Sequence, residues 1–360
     1  MSLSERVRDT VWPRRGVAGR LGYLALRPLS GIFGLGVGLR GLGYRTGMLR
    51  TRQAPIPVVS VGNLAVGGTG KTPVTLWLAR NLSARGVHTG ILSRGYGGTA
   101  RGVTIVSRGD GPLVGPELVG DEPVMLAKSF AGPVLTSARR IDGAAAAAEL
   151  GCAAIVLDDG FQHRAIARAF DLVLMDGRRG PLLPAGPLRE PLAALQRADA
   201  VVLVDHEDGD SPAPPPPALT RPTFHMRLDA VALVESIERR WREQPIGQLG
   251  NRRVVAVTGV ARPEGFYAML RRWDAVIHEV FEYPDHHRYT AEDWQQIARC
   301  GHAADLIVTT EKDLVKLEAF PFATGKLVAL RIAPEVERAE QLLAAILAAI
   351  GMGPDPSLTT

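Results

Sequence analysis

Lys71 and Thr72 close a run of glycines, and this is the first place in the 360-residue chain where phosphate chemistry is possible. The segment reads Val58-Val-Ser-Val-Gly-Asn63-Leu-Ala-Val-Gly67-Gly68-Thr69-Gly70-Lys71-Thr72. Apolar β-formers run into glycines, and a helical stretch follows. Backbone N–H groups of such a turn, at the N-terminus of a helix, cradle phosphate oxygens. The lysine reaches the β- and γ-phosphates of a nucleotide, and the threonine hydroxyl holds Mg²⁺. The P-loop pattern carries glycine five positions before Gly70, where this chain has Ala65; Gly67, Gly68 and Gly70 still permit a tight turn.

Acidic groups stand at four further points. Asp158 and Asp159 follow the apolar run Ala153–Leu157. Two adjacent carboxylates repel, so a cation beside them is expected, and Mg²⁺ suits an acidic residue ending a buried strand. The alternative is that one of them caps a turn. Asp121-Glu122-Pro123 precedes Val124–Ala127 and reads as a helix start, with Asp121 as cap and Pro123 in the first turn. Such a carboxylate can also face a substrate. Asp285-His286-His287-Arg288-Tyr289 offers either a histidine for a proton relay or a surface turn before a helix at Ala291. Thr309-Thr310-Glu311-Lys312-Asp313 lacks the spacing of a guanine-reading motif, so no GTP preference follows from it.

These residues need elements to position them. From Pro57, short β-rich runs alternate with helical stretches: Val58–Val61, Thr89–Ser93, Val134–Thr136, Ala153–Leu157, Leu172–Met175 and Ala200–Val204. That order predicts an α/β fold, a P-loop NTPase-like and mostly parallel sheet with helices on both faces. In such sheets ligands bind beyond the carboxyl ends of the strands. The glycine-rich turn, Ser93-Arg94, Ser137-Ala138-Arg139-Arg140, Asp158-Asp159 and Asp176 all fall there. A proline-rich stretch ending at Pro217 reads as a stiff linker. Val254–Thr258 and Leu306–Thr310 then look like strands of a smaller α/β unit. The expected organisation is an N-terminal segment 1–52, a core 53–210, a linker 211–222, a smaller domain 223–350 and a tail 351–360.

Charge is distributed unevenly. Residues 1–52 hold ten arginines against Glu5 and Asp9, a net of +8. The whole chain carries +5, so the other 308 residues carry −3. The body is therefore not basic and shows no nucleic-acid-binding motif, which argues against a nucleic-acid partner. Two cysteines exclude a disulfide framework. The longest apolar stretch near the start, Pro28–Leu39, has 12 residues, too few to cross a bilayer. Leu21, Leu24, Leu29, Ile32 and Phe33 can share a helical face interrupted by Pro28. With flanking arginines, this predicts a helix lying on an anionic membrane surface, or else one packed on the protein's own core.

Taken together, these segments resemble the tetraacyldisaccharide 4′-kinase family, the lipid A 4′-kinases. The matching pieces are Val61–Pro73, Leu92-Ser-Arg94-Gly-Tyr96-Gly97, Gly120-Asp121-Glu122-Pro123, Asp158–Arg164, Leu183–Glu190, Asp285–Tyr289 and Thr310–Asp313, in the family's order across roughly residues 57–317. The resemblance implies transfer of the ATP γ-phosphate to the 4′-hydroxyl of a tetraacylated disaccharide 1-phosphate, giving lipid IVA. It implies Asp121 as base, assisted by His286 or its neighbour His287, with Lys71 on the phosphates. It implies nucleotide binding by Gly67, Gly68, Thr69, Gly70, Lys71 and Thr72. Mg²⁺ falls to Thr72, Asp158, Asp159 and Glu122, and substrate contacts to Asn63, Arg94, Tyr96 and Arg189. The implied setting is a monomer held peripherally or monotopically at the cytoplasmic face of the inner membrane. One departure is that Gly180 passes directly to Pro181, which shortens the loop before Arg189 relative to the family pattern.

Overall fold

The computed structural model describes residues 7–205, 219–260 and 263–353. A short π-helical turn, Val7–Val11, leads into a long helix, Gly16–Arg45. Among the described residues thirteen strands follow: β1 (Val58–Asn63), β2 (Thr89–Ser93), β3 (Val103–Ser107), β4 (Val134–Ser137), β5 (Ala154–Asp158), β6 (Phe170–Met175), β7 (Ala200–Asp205), β8 (Thr223–Ile237), β9 (Arg240–Pro245), β10 (Arg253–Thr258), β11 (Val276–Glu282), β12 (Leu306–Thr310) and β13 (Leu327–Val336). They form one continuous sheet in the order β11-β10-β12-β13-β8-β7-β6-β1-β5-β2-β4-β3, with β9 paired to β8. Pairing is parallel except at β3/β4, β8/β13 and β8/β9.

Every residue of β1, β2, β5 and β6 is buried. Such continuously buried, mostly apolar strands are what a sheet covered on both faces requires. Alternate residues serve opposite faces. Val59, Val61, Ile91 and Val156 pack with the helices Lys71–Ala84 and Asp121–Ser129. Val58, Leu92, Ile155 and Leu157 pack with Ala144 and Ala147 of the helix Arg140–Glu149. Between β5 and β6 the chain crosses from one side of β1 to the other. The crevice at the carboxyl end of β1 is therefore the topological switch point, where such sheets bind ligands.

The 15-residue β8 joins the two halves. Its first residues pair with β7 in parallel, Val201 with Thr223 through Asp205 with Arg227. Its later residues pair antiparallel with β13 and β9. Of the expected linker, residues 211–218 lie outside the described residues, as do 354–360 of the tail.

The N-terminal helix departs from expectation. It runs 30 residues without ending at Pro28, and by length and composition it could cross a membrane. The uninterrupted apolar run is bounded by Arg27 and Arg40, whereas the helix continues past both. Pro28 is exposed, as are Val17, Leu21, Leu24, Leu29, Ile32, Leu35 and Leu39. Within the helix only Gly19 and Ser30 are buried. The apolar face is therefore not packed on the protein's own core.

Candidate active site

The glycine-rich turn is built as its composition predicts. Gly70, at φ +77°, caps the helix Lys71–Ala84. Its left-handed φ favours glycine, and a Cβ there would also sit 2.7 Å from Leu228 Cδ1 of β8 and displace that side chain. Asn63, fully buried at the end of β1, donates from Nδ2 to Thr69 Oγ1 at 2.8 Å and ties the two ends of the turn together. Thr69 is buried as well, whereas Gly68 faces solvent. Gly67 stands at φ +110°, with the Arg178 guanidinium against it. Ala65 pairs with Leu188 in an antiparallel bridge. The flanking bonds are Val66 N–H to Pro187 O, 2.8 Å, and Arg189 N–H to Leu64 O, 2.7 Å. An alanine adopts this extended pairing freely, which explains why no glycine is needed at that position.

The carboxylates come in behind the turn. Asp158 ends β5 beside β1, with Val61 and Asp158 in register. Thr72 Oγ1 and Thr75 Oγ1 donate to it at 3.4 and 3.3 Å. Burial, and the charges of Glu122 and Asp159, push the Asp158 carboxyl above the ordinary carboxylate range. Asp159 is next, at φ +55°. Its oxygens accept from Arg189 at 2.8 and 3.0 Å, and Lys71 Nζ stands 3.7 Å away. Burial alone would raise Asp159, but Lys71 and Arg189 hold it below the ordinary range. The shortened loop therefore still delivers Arg189 to the site.

A second group assembles across from the first. Gly120, not Asp121, is the helix cap; Asp121 opens the helix Asp121–Ser129, and its Oδ1 accepts from Glu122 N–H at 3.0 Å. His286, at φ +62°, brings Nδ1 to 3.1 and 3.2 Å from the two Asp121 oxygens. Lys312 Nζ lies 3.2 Å from His286 Nε2 and 2.8 Å from Asp285. An ammonium can only donate, so Nε2 accepts and the imidazole hydrogen sits on Nδ1, pointing at Asp121. Lys316 Nζ is 3.5 Å from Asp121 Oδ2. Burial would raise the Asp121 carboxyl, but His286, Lys312 and Lys316 pull it down to about 2. The hydrogen bond to Asp121 raises His286, against burial and the charge of Lys312. His287 turns away, stacking on Tyr283 with ring centroids 4.5 Å apart and meeting Asp293 at 3.1 Å.

The two groups approach through Glu122. Its charge acts on Asp158, and its Oε1 is 3.6 Å from Lys312 Nζ. Tyr96 is exposed, with its ring centroid 5.6 Å from that of His286. Arg94 is exposed beside the buried Arg140. Asn63 lies beneath the turn rather than on an open surface. A cleft of about 1130 Å³ reaches Tyr96, Asp121, His286 and Lys316 but not the glycine-rich turn. Sequence reasoning named no role for Lys312 or Lys316, and placed Arg140 only at the ligand-binding edge of the sheet. The Thr310–Asp313 segment carried the signal for Lys312, yet its threonine and aspartate serve as a helix cap, Thr310 Oγ1 accepting from Asp313 N–H.

A glycine turn between a buried strand and a Lys-Thr helix, beside a buried aspartate on the neighbouring parallel strand, defines a P-loop phosphotransferase. The profile of the tetraacyldisaccharide-1-P 4′-kinase family matches residues 23–351. A tetraacyldisaccharide 4′-kinase of Anaeromyxobacter dehalogenans is 41% identical over 359 residues, 94% of each chain. One from Geobacter sulfurreducens is 40% identical over 84% of this chain and 87% of its own. The crystal structure of "apo" form LpxK from Aquifex aeolicus in complex with ATP superposes with a TM-score of 0.77 at 33% identity. It covers 91% of this chain and 99% of that one. The chain belongs to the tetraacyldisaccharide-1-P 4′-kinase family and is a kinase that transfers phosphate to a hydroxyl.

Proposed function

We propose that this chain transfers the γ-phosphoryl group of ATP to the 4′-hydroxyl of tetraacyldisaccharide 1-phosphate, giving lipid IVA, with Asp121 accepting the hydroxyl proton. The observation that carries the base assignment is the Asp121–His286 pair at the cleft, with the Asp121 carboxylate held ionised next to Glu122, whose charge reaches Asp158. A sugar hydroxyl is a weak acid, so Asp121 takes its proton only as the new oxygen–phosphorus bond forms and the bond to ADP breaks. The Nδ1–H of His286 keeps the carboxylate aimed. Lys71, Arg189 and the N–H groups of residues 67–72 meet the charge of the transferring phosphate. Residues 223–350 act as the part that closes over the nucleotide. Leu228 already touches the turn, and His286 and Lys312 already reach Asp121 and Glu122.

The chain's residues fit Mg²⁺. Among the described residues no ready-made cage of three His, Cys, Asp or Glu side chains occurs. Mg²⁺ does not need one, since it takes one or two carboxylates plus phosphate oxygens and water. Thr72 and Asp158, joined by the Thr72 hydroxyl, would hold it, with the carboxylates of Asp159 and Glu122 near Asp158. When bound, Mg²⁺ neutralises phosphate charge.

The helix Gly16–Arg45 is inferred to lie along the cytoplasmic face of the inner membrane rather than through it. Its middle is pinned to the body, Ser30 to Leu182 and Ala185, and its later part by Arg40 to Gln162 O. A crossing helix would drag those loops into hydrocarbon. Leu24→Glu with Ile32→Glu is expected to weaken binding to anionic vesicles about 100-fold or more, at about 1.5 kcal/mol or more per lost side chain. Co-sedimentation with wild-type affinity would remove this orientation. We take a single copy of the chain as the working unit, and no nucleic acid as a partner.

The test is transfer from labelled ATP to the purified disaccharide in detergent, with and without Mg²⁺. A labelled lipid product only when Mg²⁺ is present is the expected result, and no labelled lipid with both substrates present would sink the reading. Asp158→Asn is expected to raise the Mg²⁺ concentration for half-maximal rate about tenfold or more. An unchanged Mg²⁺ dependence would take Asp158 out of the metal's surroundings.

A further inference from the structure

Residues 181–189 form a compact strap between the N-terminal helix and the phosphate turn. Within it Leu183 N–H donates to Leu188 O at 2.9 Å and Gly186 N–H to Leu182 O at 3.1 Å. On its outer side the strap meets the helix at Ser30, the buried polar side chain of that element. The Ser30 hydroxyl donates to Leu182 O at 2.8 Å and accepts from Ala185 N–H at 2.9 Å. One turn later, at Gly34, a Cβ would stand 2.9 Å from Leu182 Cδ1, so the helix and strap are in close contact there too. On its inner side the strap is bonded to the turn itself, Val66 N–H to Pro187 O and Arg189 N–H to Leu64 O. Its last residue is Arg189, on Asp159, which in turn faces Lys71.

We propose that Ser30 is a positioning residue of the phosphate site, holding the strap so that Arg189 stays on Asp159 beside Lys71. Each link from Ser30 to Lys71 is a hydrogen bond, an ion pair or a covalent neighbour. The hydroxyl is aimed away from the exposed apolar face, so lipid does not compete for it. The strap has no secondary structure of its own beyond the bridges at Leu182 and Leu188. Its geometry thus depends on the surfaces on either side. The inference rests on the proposed function only in taking Arg189 and Lys71 as parts of the phosphate site.

The experiment uses the full chain with Ser30→Ala and Ser30→Thr, alone and with Arg189→Ala. In Ser30→Ala, amide exchange over residues 182–189 is expected to rise about tenfold or more. The rate kcat on the disaccharide in detergent falls about fivefold or more, with nucleotide Kd within about twofold of wild type. Ser30→Thr, which keeps the hydroxyl, regains at least about half of the lost rate. In the Arg189→Ala background the Ser30→Ala step costs less than about twofold, because both changes act on one contact. Gly34→Leu, which wedges the helix off Leu182, is expected to reproduce the exchange result should Ser30→Ala not fold. Unchanged exchange at 182–189, or a full Ser30→Ala rate loss persisting without Arg189, overturns the proposal. Absence of lipid phosphorylation by the wild type would instead strike the proposed function and leave the exchange result to decide the strap.

Discussion

Asp121→Asn is expected to lower kcat about 10²–10⁴-fold, the usual loss for a positioned general base, with nucleotide affinity nearly unchanged. The separation follows from geometry, because Asp121 meets His286, Lys316 and Glu122 while the glycine turn is framed by Asn63, Thr69 and Leu228. Asparagine keeps the size of the side chain but cannot take a proton. The pH dependence has a definite sign. Asp121 is held down to about 2, so it stays ionised throughout the working range and gives no limb of its own. His286 is raised by its hydrogen bond to Asp121, and a protonated imidazole beside Asp121 weakens the base. Activity is therefore lost as pH falls through a value above the ordinary histidine range of about 6.5. His286→Gln removes that limb and leaves a lower, flatter profile. Wild-type turnover in Asp121→Asn, or an acid limb surviving His286→Gln, would take the pair out of the reaction.

Lys71→Ala is expected to cost about 10²–10³-fold or more in kcat, the scale for losing one preorganised donor to developing charge. On the proposed reading nucleotide affinity falls as well, since the same ammonium would meet the phosphates in the bound state. The fold should survive. Asp159, which Lys71 faces at 3.7 Å, keeps its two closer bonds from Arg189. Lys71→Arg is not expected to rescue, because a planar guanidinium does not replace a compact ammonium in a turn this tight. Circular dichroism and thermal melting check the fold, and nucleotide titration with single-turnover transfer checks the rest. Near wild-type transfer by Lys71→Ala would mean that the turn does not grip the moving phosphate.

The distribution of these residues shows what could be read in advance. All eight strands that apolar β-rich runs announced are present, from β1 to β12, within one or two residues of their expected ends. Each is a largely buried strand with at least one parallel neighbour, and its apolar composition marks it. The missed strands have specific causes. β8 and β9 are joined by Glu238-Arg239, both at positive φ, a two-residue hairpin turn without the glycine or asparagine that normally signals one. β13 contains Pro334, and proline argues against a central strand. It is tolerated because β12 pairs with β13 only over residues 327–330. β3 and β11 lie at the two ends of the sheet and are only partly buried, so their apolar pattern is weak.

The amino-acid sequence by itself determined the glycine-rich turn, because backbone N–H groups, Lys71 and Thr72 are neighbours along the chain and local geometry suffices to gather them. It also determined that Asp158 would end a strand beside that turn. Only the tertiary structure decided that His286 rather than His287 meets Asp121, that Lys312 and Lys316 complete that group, and that Arg189 reaches Asp159 despite a short loop. It decided too that the N-terminal helix runs through Pro28 with its apolar side uncovered. Those contacts join residues 26 to 195 positions apart, and their partners are chosen by how the sheet folds back on itself, which no local pattern records.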